Sequence, residues 1–309
     1  MAGCEKGPRA SFDRTISVTH SPGSTVSGEP RASVPARADL ELAFKAVRKA
    51  RVPQMPDLIF ALRQELARDE PDLKHAGDLV AQDPVLTGQV LKTINSPFFY
   101  CPTRISSVHR ALSMLGLERV ANLVTAEAVS RVLDASQGAS RLVRDAIMEQ
   151  ARGAATVAGV VRGVAADEAY LFAMMQDVGS LIFAELVENY GSEWLLRAPT
   201  APRALMAYER GLLGIDHATV GFLLAGTWRL PDHLAIAIYR HHVADLLGIE
   251  DPRSRALIAV SWLGSYLAGL CHGSEDAPEM QDDCEAALDE LAIAEDDWTR
   301  LRALAGRQT

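Results

Sequence analysis

Much of what this chain does not contain is informative. Its four cysteines (Cys4, Cys101, Cys271 and Cys284) are scattered, with no Cys-x-x-Cys pair. That pattern suits a reducing cytoplasm better than a disulfide framework or a zinc knuckle. No uninterrupted apolar run reaches the roughly 18 residues needed to span a bilayer. No charged-then-apolar leader opens the chain, so a cytoplasmic protein with no membrane partner is expected. Positive charge is not in excess, with 31 Lys and Arg against 40 Asp and Glu for a net charge of −9. A broadly nucleic-acid-binding surface is therefore not expected, though a local basic patch is still allowed. No segment sustains period-2 alternation with β-branched enrichment, so essentially no sheet is expected. No Gly-rich phosphate loop is present, and no internal repeat can be defended.

What is present is a helical protein. A length of 309 residues with 48% apolar content is ample for a packed core. Residues 1–37 are rich in Ser, Pro, Gly and Thr and carry five basic and three acidic residues. Such a segment buries too little to offset its ordering entropy and reads as a disordered tail. From Asp39 the pattern turns helical. Leu40, Phe44 and Val47 share one face, Val52-Pro53-Gln54-Met55-Pro56 is a stiff entry, and helices follow over 57–67 and 72–82. A second half begins near 140 with a helix over 142–164, whose Gly153, Ala154, Ala155, Ala158 and Gly159 permit close approach of a neighbour. The stretch 168–187 is the most apolar and reads as the central helix. Segments 203–213, 216–228, 231–242 and 253–270 complete a bundle. Residues 275–297 hold eleven acidic residues and no Lys or Arg, yet Leu288, Leu291, Ile293 and Trp298 give them a face to dock. The expected organisation is a tail over 1–37, a helical domain over 38–250 in two halves (to about 135, then 140–250), and an acidic helical extension over 251–309.

The stretch Asp83 to Leu123, DPVLTGQVLKTINSPFFYCPTRISSVHRALSMLGLERVANL, carries the densest set of signals. Asp83 caps a helix that begins at Pro84, Asn95-Ser96-Pro97 stops it, Ser106 restarts it, and Gly116 offers a left-handed C-cap. Nothing in it pairs a nucleophile with a base, so it reads as scaffold. The ordered combination of an Asp-Pro helix start, an Asn-Ser turn, an Ile-Ser re-entry and a Leu-Gly-Leu step closely resembles the HDOD family, the HD-related output domain of bacterial signalling proteins. The resemblance implies an all-α fold of two packed helical halves, related to HD-superfamily metal phosphohydrolases but without their catalysis.

The chemistry of those relatives needs at least three imidazole or carboxylate ligands converging from different helices around metal ions that activate a water. Here FAMMQDVGSL (172–181) resembles the element bearing the His-Asp doublet, with Gln176 in place of the histidine and Ser180 in place of a following lysine. Asp177 is retained. The upstream histidine is absent, since none occurs between His109 and His217. GIDHATVGF supplies His217, IYRHH supplies His241 and His242, and His233 lies between them. Glutamine is a poor substitute for imidazole because a neutral amide is a weak donor to a transition metal. No cofactor and no hydrolysis are expected. Gln176, Asp177, His217, His241 and His242 are relic-pocket candidates, and Asp177, His217 and His241 are weak metal ligands at best. Ordinary structural roles also fit: Asp177 paired in the core, His217 beside its cap Asp216, and His241 and His242 at a helix C-terminus, where the dipole favours an imidazolium.

Two further features are weighed. Phe98, Phe99 and Tyr100 form either a partner-binding surface or, as preferred here, a wedge joining the halves. Arg110, Arg119 and Arg131 read as solvated charge, with a nucleotide-phosphate site as the rival. The expected function, implied by the resemblance, is a non-catalytic output module acting through signalling proteins, in circuits that include cyclic dinucleotides. The chain carries no GGDEF or EAL motif, and its leader is short for a receiver. The alternatives are a divergent HD-type phosphohydrolase and a nucleotide sensor using the relic pocket. A homodimer is left open.

Overall fold

Aspartate, serine and proline decide where this chain turns helical. The computed structural model describes residues 34–50, 55–99, 103–134 and 139–305, and among them all regular structure is helical, with no strand. The all-α expectation holds. In order the helices are α1 (Arg37–Lys49), α2 (Asp57–Leu66), α3 (Leu73–Ala81), α4 (Pro84–Ile94), α5 (Val108–Leu115) and α6 (Leu117–Asp134). Then come α7 (Ala139–Ala158), α8 (Ala166–Gln176), α9 (Val178–Leu186), α10 (Tyr190–Arg197) and α11 (Pro202–Leu213). The last are α12 (His217–Thr227), α13 (Asp232–Arg240), α14 (Pro252–His272), α15 (Pro278–Glu290) and α16 (Glu295–Ala305). The expected tail lies almost wholly outside the described residues, as do Val52, Pro53, Gln54 and Tyr100.

Side-chain caps explain several of the helix starts. Asp72 accepts from the N–H groups of Lys74 and His75, and Asp83 from those of Val85 and Leu86, with Pro84 in the first position. Asp216 caps α12 through Thr219, and Asp251 caps α14 through Ser254. Each satisfies donors that a helix start leaves unpaired. Ser107, rather than Ser106, caps α5, and Gly116 takes φ +84° and ψ 166°, an extended conformation reserved for glycine rather than the left-handed helical one. After α4 the Asn95 side chain donates to the carbonyls of Leu91 (2.6 Å) and Ile105 (2.8 Å) and accepts from Ile105 N–H (2.8 Å). One amide thus closes the irregular loop.

The described residues form one contact-dense unit. α2 to α6 pack on one another, α6 carries them onto α8, and α7, α8 and α14 form the centre. The small residues of α7 do admit a neighbour. A Cβ on Gly153 would sit 2.8 Å from Gly264 O of α14, so the two backbones nearly touch. α14 is therefore a core helix, with Leu257, Ile258, Ala259, Val260 and Leu263 fully buried. α15 lies against α14 and hides Cys284, while α16 packs on α14 and α7.

Three elements differ from expectation. The central helix is two: at Asp177 (φ −99°, ψ 6°) the helix breaks between α8 and α9. The break brings Gly179 against the next layer, where an added Cβ would lie 2.1 Å from His217 O. α7 ends at Ala158 rather than 164, ahead of Gly163 at φ +89°. α10 was not foreseen; it follows left-handed Asn189 and inserts Tyr190 and Trp194 into the core. Residues 166–186 are apolar enough on average to cross a membrane, but 83% of that window is buried inside the fold.

Candidate functional site

The break at Asp177 and the two histidine-bearing helix ends point at one place. Asp177 sits between α8 and α9, His217 opens α12, and His241 and His242 close α13. Asp177, His217, His241 and His242 each offer a ligand atom within 4.8 Å of the others. The sequence-derived pocket therefore assembles. His233 does not join it; its Nε2 lies 2.7 Å from Glu168, at the other end of α13.

The His217 and His241 rings are each oriented by a partner. His217 Nδ1 lies 2.7 Å from Glu209 Oε2, which also accepts the His217 backbone N–H at 2.8 Å. The other Glu209 oxygen accepts from Tyr190 OH. His241 Nδ1 lies 2.6 Å from Ile238 O, and Trp262 donates to His241 O at 2.7 Å. A backbone carbonyl and a carboxylate can only accept, so both Nδ1 atoms carry hydrogen. The two Nε2 atoms then face each other at 3.3 Å, with Asp177 Oδ1 3.5 Å from His217 and 4.0 Å from His241. One positive charge belongs between them, and a proton or a metal ion can supply it.

The electrostatics agree with a proton. Burial opposes charge on His217, but Glu209, Asp177 and Asp216 outweigh it and push the imidazole up to about 9. Burial takes His241 down to about 4, and desolvation with two neighbouring imidazoles takes His242 well down too. Asp216 stays in the low carboxylate range despite burial, held by His217, Thr219 and Arg210. The spacing also fits a metal. Two nitrogens about 2.0–2.1 Å from one tetrahedral ion lie roughly 3.3–3.4 Å apart. An Nδ1–H aimed at a carboxylate or carbonyl is the usual support of a ligating histidine.

Gln176 belongs to the pocket in another way. Its Oε1 accepts from Ser261 Oγ at 2.6 Å, and its Nε2 donates to Asp177 Oδ2 at 3.3 Å. The amide thus turns its N–H edge, not a lone pair, toward the aspartate. On α7 the residue lining the pocket is Gln150, whose buried Oε1 has no partner. Ser180 accepts from Trp194 Nε1 at 3.1 Å and stays in the core. The enclosed space holds only about 30 Å³, lined also by Trp262 and by Met280 and Asp283 of α15. That is room for a water or two, not for a nucleotide.

Glu209 is the main residue that sequence reasoning missed. On an amphipathic helix a Tyr-Glu-Arg string reads as solvated charge, and only its place eight residues before His217 hinted otherwise. The other candidates resolve differently. Phe99 packs edge-on against Tyr170 with centroids 5.9 Å apart, in keeping with a wedge; the Phe98 side chain and Tyr100 lie outside the described residues. Arg119 and Arg131 are not simply solvated: Arg119 pairs with buried Asp167 at 2.7 Å, and Arg131 with the cap Asp83. Arg110 is exposed.

Known proteins share the fold of this chain. The chain is 20% identical to an HDOD domain protein of unknown function from Geobacter sulfurreducens (TM-score 0.60, covering 87% of this chain and 97% of that one). It is 23% identical to a candidate signal transduction protein from Marinobacter aquaeolei VT8 (TM-score 0.61; 88% and 63%). It is 20% identical to a candidate phosphohydrolase from Shewanella amazonensis SB2B (TM-score 0.57; 86% and 93%). These likenesses establish the fold. An uncharacterised protein of Treponema pallidum (strain Nichols) is 23% identical over 198 residues, 62% of this chain but only 37% of that relative. The HDOD domain model matches residues 52–244, from the entry to α2 through the His241-His242 pair, and the chain belongs to the HDOD family.

Proposed function

We propose that this chain is a signal-transduction module that works by binding other signalling proteins and does not hydrolyse phosphodiesters. The observation that supports this reading is Gln176. A two-metal hydrolase needs a lone pair at that position and another on the facing helix. Here the amide oxygen is held by Ser261 and the amide N–H points at Asp177, while α7 offers Gln150. A bridging pair of metals would have donors on one side only.

A second reading is favoured by the facing Nε2 atoms. His217, His241 and Asp177 fit a single divalent ion, which would displace the proton between the rings and polarise a bound water or phosphate oxygen. The residues of this chain would then orient the ion through Glu209 and Ile238 O.

One experiment addresses both. Protein purified without chelator is assayed for metal content and for cleavage of cyclic dinucleotide and of bis-(p-nitrophenyl) phosphate with added Mg²⁺, Mn²⁺ or Zn²⁺. No turnover is expected. Turnover that Asp177→Asn abolishes would overturn the binding-only reading. Stoichiometric metal without turnover would establish the second reading, and metal far below one ion per chain would remove it.

A further inference from the structure

The mouth of the pocket is closed by a helix that carries its own anions. Arg203, in the first turn of α11, donates through Nη1 to Glu279 Oε2 at 3.2 Å and through Nη2 to Asp283 Oδ1 and to Val243 O, the last at 3.0 Å. The Arg203 backbone N–H donates to the same Glu279 oxygen at 3.2 Å. One oxygen held by a guanidinium and by a free N–H of a helix start is the arrangement in which such sites hold phosphate oxygens. Asp283 extends from there into the cavity that Asp177, His241 and His242 line.

We propose that Arg203 and the first turn of α11 form a binding site for a phosphate monoester, masked in this structure by the Glu279–Asp283 face of α15. Three observations carry the assignment. The two carboxylates bring two negative charges to one arginine, the charge a monoester dianion would bring. The masked site is under-satisfied on its donor side: Arg203 Nε is buried without a partner, as is His242 Nε2 in the adjoining cavity. Finally, the cover is separable. α15 follows α14 through a turn at Gly273, which takes φ +72°, and it lies outside the span 52–244 that defines the family domain. Burial, only partly offset by Arg203, raises the Asp283 carboxyl to about 6.

The proposal deepens the binding reading by naming what the pocket region takes and what regulates access to it. Its test is separable from the hydrolysis assay, because it reads binding and not turnover. The full chain is compared with a Glu279→Gln/Asp283→Asn double variant, which removes charge but little volume. Calorimetry with adenosine monophosphate and with inorganic phosphate should show binding tightened by about tenfold in the double variant, since the competing anions are gone. Adding Arg203→Gln should abolish it. Binding of both probes would point to the phosphate alone as the recognised group, and binding of the nucleotide only would make the base part of the site. Equal affinity in parent and double variant, or binding that survives Arg203→Gln, would overturn the proposal. A measurement on the parent chain guards against a variant that fails to fold. Hydrogen exchange over 278–290 should quicken when phosphate replaces chloride at equal ionic strength, and unchanged protection there would equally sink the idea.

Discussion

At the scale of the residue, Glu209 is the pivot of the site. It is fully buried and binds His217 twice and Tyr190 once. Removing one partner of a buried ionic pair costs about 3–5 kcal/mol, because the other charge is left uncompensated. Glu209→Ala should therefore destabilise the chain by that amount in urea denaturation, and Glu209→Gln by less, since an amide oxygen can still accept from Nδ1. Equal, negligible losses for both would show that His217 does not depend on this carboxylate. The residues that meet here were legible in sequence where they sat in a motif: Asp177, His217, His241 and His242. Glu209 was not, because burial of a lone carboxylate depends on a helix-to-helix contact that no local pattern records. His233 shares the α13 region with His241 but sits at its opposite end, where it meets Glu168 instead.

At the scale of the element, α8, α13 and α14 are tied by charge as well as by packing. Glu168 meets His233 at 2.7 Å and Arg253 at 2.6 Å, and Arg253 also reaches Glu118 on α6 at 3.1 Å. Burial would raise the Glu168 carboxyl, but His233 and Arg253 hold it below its ordinary value of 4.5. The folded chain thus binds this proton less tightly than the unfolded one. Its contribution is complete above the unfolded pKa and is lost as pH falls through the lower folded value. Glu168→Gln should reduce stability at neutral pH, and the gap to the parent should close in acid. A gap that stays constant down to strongly acidic pH would show that no such linkage exists. The starts of α4 and α12 were readable because Asp83 and Asp216 cap in the expected way. The break at Asp177 was hidden by continuous apolar character on both sides, and α10 by its shortness.

At the scale of the whole molecule, the last sixty residues are not an appendage of one kind. α14 fills the centre, and its Gly264 fits against Gly153 of α7. α15 and α16 lie outside it and contribute Met280, Cys284, Ala287, Trp298 and Leu301 to buried surface. A chain ending at residue 274 should keep its helical circular dichroism and a cooperative melt at lower temperature. A chain ending at residue 250 should not fold, because the α7 and α8 faces would lie open. Cooperative folding of the shorter chain would show that the family span is self-sufficient. The all-helical class was plain from composition and periodicity. Which helix forms the core and which forms the cover was not, since α14 and α15 differ in sequence mainly by charge.

The cysteine under α15 gives this arrangement a practical consequence. Cys284 is 6% exposed, and burial pushes its thiol up to about 12. A thiol that is both hidden and protonated reacts slowly with alkylating reagents. Its labelling, followed by peptide mass spectrometry, is thus a clock for the lifting of α15. The clock would run without any added probe, at the natural residue, and faster in whatever mixture of partner or metabolite uncovers the pocket.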